Sequence, residues 1–226
     1  DNAATTQRPL PVVNAVLDYT THENGNPHRG AHIFAISASE AYDTSKEVVR
    51  DFIHARSEKE IIYTRNTSES LNLVARSYGE THLKAGDHIL ITIAEHHSNL
   101  VTWQRVAQKT GATLDYIYVD KETGHFPEEE LKKIDDPRVK LFAFAEVSNV
   151  LGIDFDPKPL IQRAHAHGAI VVLDGAQSTP HKPVDVQDLD CDFFAFSGHK
   201  MCSMGGIGVL YGKEEILNDM EPFLMG

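Results

Sequence analysis

The chain has 226 residues, with 33 acidic and 21 basic side chains and a formal net charge of -12 at pH 7. This acidity argues against nucleic acid or an anionic membrane as the main partner, because both require a positive protein surface. Charged residues make up 24% and hydrophobic residues 41% of the chain, a balance typical of one globular domain or two small ones.

Membrane and secretory features are absent from the sequence pattern. No apolar run approaches the ~20 residues that a helix needs to span a bilayer. The two cysteines are too few for a disulfide framework, and we expect no signal peptide before Asp1. We therefore expect a cytoplasmic protein with reduced thiols.

The first 30 residues are irregular and are punctuated by Pro9, Pro11 and Pro27. They predict an extended N-terminal arm with one short helix over residues 12–19.

From Tyr42 onward, segments of helical and strand character alternate. One predicted helix follows Thr67 and Ser68 and contains Leu71 and Val74. The other predicted helices cover residues 40–55, 100–109, 128–134 and 159–167. The predicted strands cover residues 61–64, 88–93, 114–119, 140–147, 169–173, 193–196 and 207–211. This alternation predicts an α/β fold with a mostly parallel sheet and helices on both faces, in which ligands bind at the carboxyl ends of the strands.

Asp174 stands at such an end, directly after the apolar strand 169–173. A buried carboxylate is costly unless it pairs with a cation or a hydrogen-bond donor, so Asp174 is expected to serve as a helix N-cap, in a structural ion pair or as a contact to a ligand. The small residues Gly175 and Ala176 that follow leave room for a flat molecule to approach.

Lys200 follows the next predicted strand, beside Ser197, Gly198 and His199. Most lysines are solvated surface charges. A lysine that loses its water has a lowered pKa and becomes an amine nucleophile able to form a Schiff base.

Thr67 and Ser68 precede a helix, where hydroxyls commonly serve as N-caps. The same position can bind a phosphate, because the free N–H groups and the helix dipole favour an anion.

His96 and His97 follow the strand 88–93. Two adjacent imidazoles do not easily converge on one ion, and no further Cys/His spacing completes a zinc site, so no metal is expected. An imidazole at a strand end can instead lie flat against an aromatic cofactor. A lysine amine, a buried acid, a flat imidazole and hydroxyls at a helix N-terminus together match the needs of pyridoxal phosphate.

Seven stretches, in order along the whole chain, resemble the class V aminotransferase family, and within it the SufS-type cysteine desulfurases, relatives of selenocysteine lyase. They are Asp1-Asn2-Ala3-Ala4-Thr5-Thr6, His28-Arg29-Gly30, Arg65-Asn66-Thr67-Ser68-Glu69, Glu95-His96-His97-Ser98-Asn99, Val147-Ser148-Asn149-Val150-Leu151-Gly152, Asp174-Gly175-Ala176-Gln177 and Ser197-Gly198-His199-Lys200.

The resemblance implies a pyridoxal-phosphate-dependent type I fold and a role for each matching residue. Lys200 would bind the cofactor covalently and later move the Cα proton of the substrate. Asp174 would pair with the ring nitrogen, and Gln177 would bond the ring hydroxyl. His96 would stack on the ring face and would be catalytic together with Lys200.

The remaining implied roles concern the phosphate and the substrate. Asn149 would lie near the substrate carboxylate or the ring oxygen and so serve both cofactor and substrate. His28 and the loop Ala3-Ala4 would line the substrate side. The phosphate would be held by Thr67, Ser68, Ser197 and His199.

The resemblance also implies how the protein is organised. Residues 1–30 would be an arm lining the active site, and residues 31–226 a large cofactor-binding domain that is incomplete at its C-terminus. The small C-terminal domain would be absent, and with it the sulfur-accepting cysteine and an arginine for the substrate carboxylate. The chain is thus expected to be a fragment, inactive by itself. Cys202 is a poor substitute for that cysteine, and the loop Ser203-Met204-Gly205-Gly206 departs from the usual Gly-Pro-Thr-Gly run.

The implied activity is removal of sulfur from L-cysteine to give L-alanine and an enzyme persulfide for iron–sulfur cluster assembly. The expected partners are L-cysteine or L-selenocysteine, a sulfur-acceptor protein and a second copy of the chain in a homodimer. Three alternatives stay open at this point: selenocysteine lyase or another class V reaction, a truncated non-catalytic cofactor-binding or dimerisation domain, and, more distantly, a metal hydrolase built on the histidines.

Overall fold

A seven-stranded sheet forms the centre of the molecule in the computed structural model, which describes residues 1–225; Gly226, the last residue of the predicted large domain, lies outside them. In chain order the strands are β1 (Ile61–Thr64), β2 (His88–Thr92), β3 (Thr113–Ile117), β4 (Val139–Ala145), β5 (Ile170–Asp174), β6 (Phe193–Ser197) and β7 (Gly208–Gly212). Their order in the sheet is β1-β7-β6-β5-β4-β2-β3. All neighbours run parallel except β7, which is antiparallel to both β1 and β6.

The central strands are apolar on both faces because helices cover both sides of the sheet. Phe142, Phe144 and Phe194 point into one core, whereas Phe193 and Trp103 pack in the other. Side chains alternate between faces along a strand, so continuous apolar runs supply both cores at once. The predicted α/β fold with a mostly parallel sheet is confirmed.

Nine α-helical segments accompany the strands in the part of the chain that is described. They are α1 (Leu10–Asp18), α2 (Ile33–Phe52), α3 (Thr67–Val74), α4 (Glu80–His82), α5 (Val101–Thr110), α6 (Glu128–Leu131), α7 (Pro157–Ala166), α8 (Val186–Leu189) and α9 (Glu214–Leu217).

Helix α2 begins seven residues before the predicted start at residue 40. In its first seven residues only Ala35 and Ala38 are buried, whereas Ile33, Phe34 and Ile36 are exposed, so the apolar residues there do not mark one buried helix face. The imidazole of His32 caps this helix by accepting the N–H of Ala35 at 3.4 Å.

Strand β7 brings the start of α3 close to the sheet. A Cβ atom on Gly208 would lie 2.6 Å from the Cα of Asn66, the N-cap of α3. Only glycine permits this backbone approach. The first turn of α3 therefore lies beside the end of β6, which pairs with β7 through Ser197 and Gly208.

Among residues 1–225, none of the helices combines the length and the apolar character required to cross a membrane.

Candidate active site

A cavity of about 400 Å³ lies at the carboxyl-terminal edge of β4, β5 and β6. Its volume falls in the range of small-molecule sites. It brings together all the predicted site residues except His28, namely Ala3, Thr67, Ser68, His96, Asn149, Asp174, Gln177, Ser197, His199 and Lys200.

The floor of the cavity contains Asp174, a residue that is only 4% exposed. Within residues 1–225 its carboxylate accepts one hydrogen bond, from the N–H of Ala176 to Oδ1 at 2.9 Å, and it has no ion-pair partner within 4 Å. Burial raises the pKa of Asp174, while the charges of Lys200 and His96 lower it. The negative charge of Asp174 is therefore only partly compensated by its neighbours, and this under-compensated carboxylate favours the binding of a cation in the cavity.

Lys200 stands in a short 3-10 turn, Gly198–Lys200, directly after β6. Its half-buried amine makes no hydrogen bond or ion pair with the residues described. Burial lowers the pKa of Lys200, and the charge of Asp174 opposes this shift only in part. A larger fraction of the amine is thus unprotonated and nucleophilic than in an exposed lysine.

His96 has a ring whose protonation pattern is set by its neighbour. Nδ1 of His96 accepts the N–H of Ser98 at 3.1 Å, and the hydroxyl of Ser98 lies 2.7 Å from the same nitrogen. Because Nδ1 is an acceptor, the neutral ring carries its proton on Nε2. The turn thus fixes the ring at the cavity wall.

The first turn of α3 lines another side of the cavity. The N–H of Thr67 donates to Oγ of Ser197 at 2.7 Å, and the two hydroxyls are 2.6 Å apart. The side chain of the N-cap Asn66 accepts the N–H of Glu69 at 2.9 Å. The N–H of Ser68 makes no hydrogen bond with residues 1–225, so a backbone donor at a helix N-terminus remains free for an anion.

The N-terminal arm reaches the cavity through several hydrogen bonds that no local pattern indicates. Gln177 donates from Nε2 to the carbonyl of Ala3 at 2.9 Å. Thr6 donates its N–H to the carbonyl of His199 at 2.9 Å, and Oγ1 of Thr6 accepts the N–H of Cys202 at 2.7 Å. The arm is thereby joined to the segments that follow β5 and β6.

Comparison with known proteins identifies the family of the chain. The family model described as Aminotransferase class-V matches residues 1–226. The chain belongs to the class V aminotransferase family.

Relatives of this class V chain are named as desulfurases. A "Probable cysteine desulfurase" of Halalkalibacterium halodurans is 50% identical over 226 residues, covering 100% of this chain and 55% of the relative. One of Synechocystis sp. is 49% identical and is covered to 54%. The solved apo structure of a cysteine desulfurase from Thermococcus onnurineus NA1 is 45% identical, with a TM-score of 0.94, and matches 100% of this chain and 56% of that one. The chain spans about half the length of the curated relatives it matches.

His28 lies outside the lining of the cavity in this class V chain. Its Nε2 is 3.3 Å from Asp43, its N–H donates to Ser39 at 2.8 Å, and its ring packs edge-on against Tyr42. All three contacts are with α2, and the role of His28 on the substrate side stays a prediction.

The lining also contains residues that the sequence reasoning did not select. Ser98 is the informative case, because a hydroxyl two positions after a strand-end histidine is a local signal for a ring-orienting partner. The remaining lining residues are Asp1, Asn66, Ala145, Val147 and Ala176, while Ala4 belongs to the loop that is expected on the substrate side.

Neither cysteine lines the cavity of this class V chain. Cys191 is fully buried, and Cys202 is exposed with a positive φ of 67°. In the described part of the chain, no group of three or more His, Cys, Asp or Glu side chains is placed to hold a metal ion.

Proposed function

We propose that the protein containing this chain is a pyridoxal-phosphate-dependent cysteine desulfurase of the SufS type. One observation carries the proposal: an unpaired, partly dehydrated lysine amine and an under-compensated buried carboxylate, Lys200 and Asp174, open into one cavity beside His96. The relatives named as cysteine desulfurases support the choice of reaction.

The residues present fit the cofactor. Asp174 lacks a cation within hydrogen-bond reach, and a protonated ring nitrogen would supply one. The free N–H of Ser68 and the hydroxyls of Thr67 and Ser197 would hold the phosphate, with His199 beside them. His96 would lie against the ring, Lys200 would hold the cofactor covalently, and Gln177 and Asn149 would be its further polar partners.

Pyridoxal phosphate supplies an electron-withdrawing ring that stabilises negative charge developing at the substrate Cα. The chain's own residues would do the rest. Asp174 would keep a proton on the ring nitrogen by its negative charge. Once free, the amine of Lys200 would take the proton from Cα of L-cysteine, since its lowered pKa suits general base catalysis.

The sulfur atom needs an accepting thiol. Because neither Cys191 nor Cys202 lines the cavity, we place that thiol elsewhere in the full-length protein. The resulting persulfide would pass to a sulfur-acceptor protein for iron–sulfur cluster assembly, and the enzyme would act as a homodimer in the cytoplasm. The arm of residues 1–30 would line the active site of the large domain.

The test is a visible absorption spectrum of the purified protein after addition of pyridoxal phosphate, with Lys200→Ala alongside. We expect a band in the wild type that Lys200→Ala abolishes. Alanine and sulfide are then measured from L-cysteine with a thiol reductant, in the full length that the gene encodes.

Two results would overturn the proposal. No Lys200-dependent band in the full-length protein would remove the cofactor assignment. A band without alanine formation from L-cysteine, but with selenide released from L-selenocysteine, would favour selenocysteine lyase.

A further inference from the structure

Glu95 is a buried carboxyl that the proposed reaction does not use. It lies between β2 and His96, is 8% exposed, and has no ion-pair partner among residues 1–225. Three donors surround it. Oε1 accepts the hydroxyl of Thr92 and, at 3.0 Å, the N–H of Ala145, and Oε2 accepts Nδ2 of Asn99 at 2.7 Å.

The direction of these bonds is fixed at two of the three partners. The indole N–H of Trp103 donates to Oδ1 of Asn99 at 2.8 Å, and an indole nitrogen can only donate. Asn99 therefore turns its NH₂ group to Glu95. The backbone N–H of Ala145 is also an obligate donor. Only the hydrogen bond between Thr92 and Glu95 can reverse its direction, because a hydroxyl can either donate or accept. Glu95 can thus gain or lose a proton on the Thr92 side without breaking the two fixed bonds.

Glu95 lies directly behind the cavity wall. Ala145, which it binds, lines the cavity and is the register partner of Asp174 between β4 and β5. The next residue, His96, lines the same cavity. A charge on Glu95 is therefore felt where the cofactor would bind.

The two buried carboxyls oppose each other's ionisation. The pKa of Glu95 is raised to about 8 because burial outweighs the three donors that lower it, and the charge of Asp174 contributes to the increase. Asp174 is in turn influenced by the charges of Lys200 and His96. A cation placed on Asp174 would cancel the repulsion and favour ionised Glu95.

We propose that Glu95 is a positioning residue that holds the His96 turn against β4 and releases a proton when a cation binds at Asp174. The inference rests on the proposed function, since that cation is the protonated cofactor ring. In the step, the O–H bond of the Glu95 carboxyl breaks and the proton passes to the buffer, with no electron transferred.

The test measures how many protons the protein releases when pyridoxal phosphate binds. Pyridoxal phosphate is titrated into the full-length apoprotein by calorimetry at pH 7.5 in buffers of different ionisation enthalpy. We expect the wild type to release about half a proton per site more than Glu95→Gln, and this difference to disappear well above pH 8. Protons exchanged at Lys200 cancel in the comparison. Glu60→Gln removes a buried carboxyl at the start of β1 and should match the wild type.

A second measurement needs no variant. The infrared difference spectrum of wild type with and without pyridoxal phosphate should lose a protonated carboxyl band that shifts on ¹³C-glutamate labelling. Equal proton counts in wild type and Glu95→Gln with intact binding would overturn the inference, as would an infrared spectrum without a glutamic acid change. A wild type that shows no Lys200-dependent band would overturn the proposed function and this inference together.

Discussion

At the scale of single residues, the cavity holds charges that the fold itself does not balance. Asp174 and Lys200 each lose water on burial, and burial dominates the pKa shift of both. An unfolded chain would solvate both groups fully, so their placement costs folding free energy that a bound ligand can recover.

Asp174→Asn should separate the cost of burying the Asp174 charge in the fold from the benefit of that charge for cofactor binding. The amide keeps the acceptor for the N–H of Ala176 and removes a buried charge. Because burial raises the pKa of Asp174, ionisation destabilises the unliganded fold as the pH rises above about 4, where the unfolded carboxyl ionises. We expect the unliganded variant to be more stable at pH 7.5 by roughly 1–2 kcal/mol, with a smaller gain at pH 4.

The measurement is urea unfolding of unliganded wild type and variant at both pH values, followed by titration with pyridoxal phosphate. Cofactor affinity should fall at least about tenfold, since a lost charge pair is worth on the order of one pKa unit or more. Unchanged affinity would show that Asp174 does not meet the ring nitrogen.

The strand-end residues Asp174 and Lys200 could be selected from the sequence because each follows a continuous apolar run. The long-range hydrogen bonds that build the cavity around them could not be predicted from the sequence. Gln177 bonds to Ala3, 174 positions away, and Thr67 bonds to Ser197, 130 positions away. Such pairs depend on the order of strands in the sheet, which local patterns do not encode.

At the scale of elements, the position of α3 depends on a glycine in a neighbouring strand. The sequence predicts β7 within one residue at each end, but not its insertion between β1 and β6, because the pattern of residues does not give strand order. That insertion creates the close approach of Gly208 to Asn66.

Gly208→Ala should push the first turn of α3 away from the sheet. The new methyl group would lie 2.6–2.8 Å from three backbone atoms of Asn66, so the backbone must move. Overpacking of this kind costs about 1–3 kcal/mol, and phosphate affinity should fall because the N–H of Ser68 shifts. Gly205→Ala is the matched control, since its new methyl group would have no atom within 4 Å and its φ is not positive. Urea unfolding measures the loss of stability, and competition of inorganic phosphate with pyridoxal phosphate binding measures the loss of phosphate affinity. If Gly208→Ala and Gly205→Ala behaved alike in both measurements, the close approach of Gly208 to Asn66 would not control the position of α3.

Thr6 joins the arm to the turn that carries Lys200. Its hydroxyl donates to the carbonyl of His199 at 3.0 Å and accepts the N–H of Cys202 at 2.7 Å. Thr6→Val keeps the shape and loses both bonds, so we expect destabilisation of about 1–2 kcal/mol and weaker cofactor binding. Thr6→Ser should restore both. Thr5→Val loses only two longer, exposed bonds, one to the same carbonyl at 3.2 Å and one to Nδ1 of His199 at 3.3 Å, and should have a smaller effect. The measurements are thermal unfolding and the Lys200-dependent band; a Thr6→Ser variant as weak as Thr6→Val would contradict a role for the hydroxyl.

At the scale of the whole molecule, the two edges of the sheet carry different chemistry. The carboxyl ends of the strands surround the cavity, whereas a charged cluster joins α7, the start of β5 and the segments that flank β6 and β7. Asp192 accepts the N–H of Val171 at 2.7 Å and pairs with His165 at 2.8 Å and with Lys213 at 2.9 Å. Asp190 completes the cluster, 2.7 Å from Lys213.

This cluster predicts a pH-dependent stability that is separate from the cavity. The hydrogen bond to Asp192 raises the pKa of His165, with added support from the charge of Asp190 and opposition from burial and Lys213. A raised pKa means that the protonated ring stabilises the fold fully below about pH 6.5, its unfolded value, and that this contribution is lost as the pH rises through the folded value.

His165→Gln should therefore lose about 0.5–1 kcal/mol at pH 5.5, a figure reduced for the solvent screening of a partly exposed ring, and much less at pH 8.5. Urea midpoints at the two pH values measure this, with the exposed His125→Gln, whose ring makes no ion pair within residues 1–225, as the control. If His165→Gln lost as much stability at pH 8.5 as at pH 5.5, packing rather than charge would account for the role of the ring at this edge of the sheet.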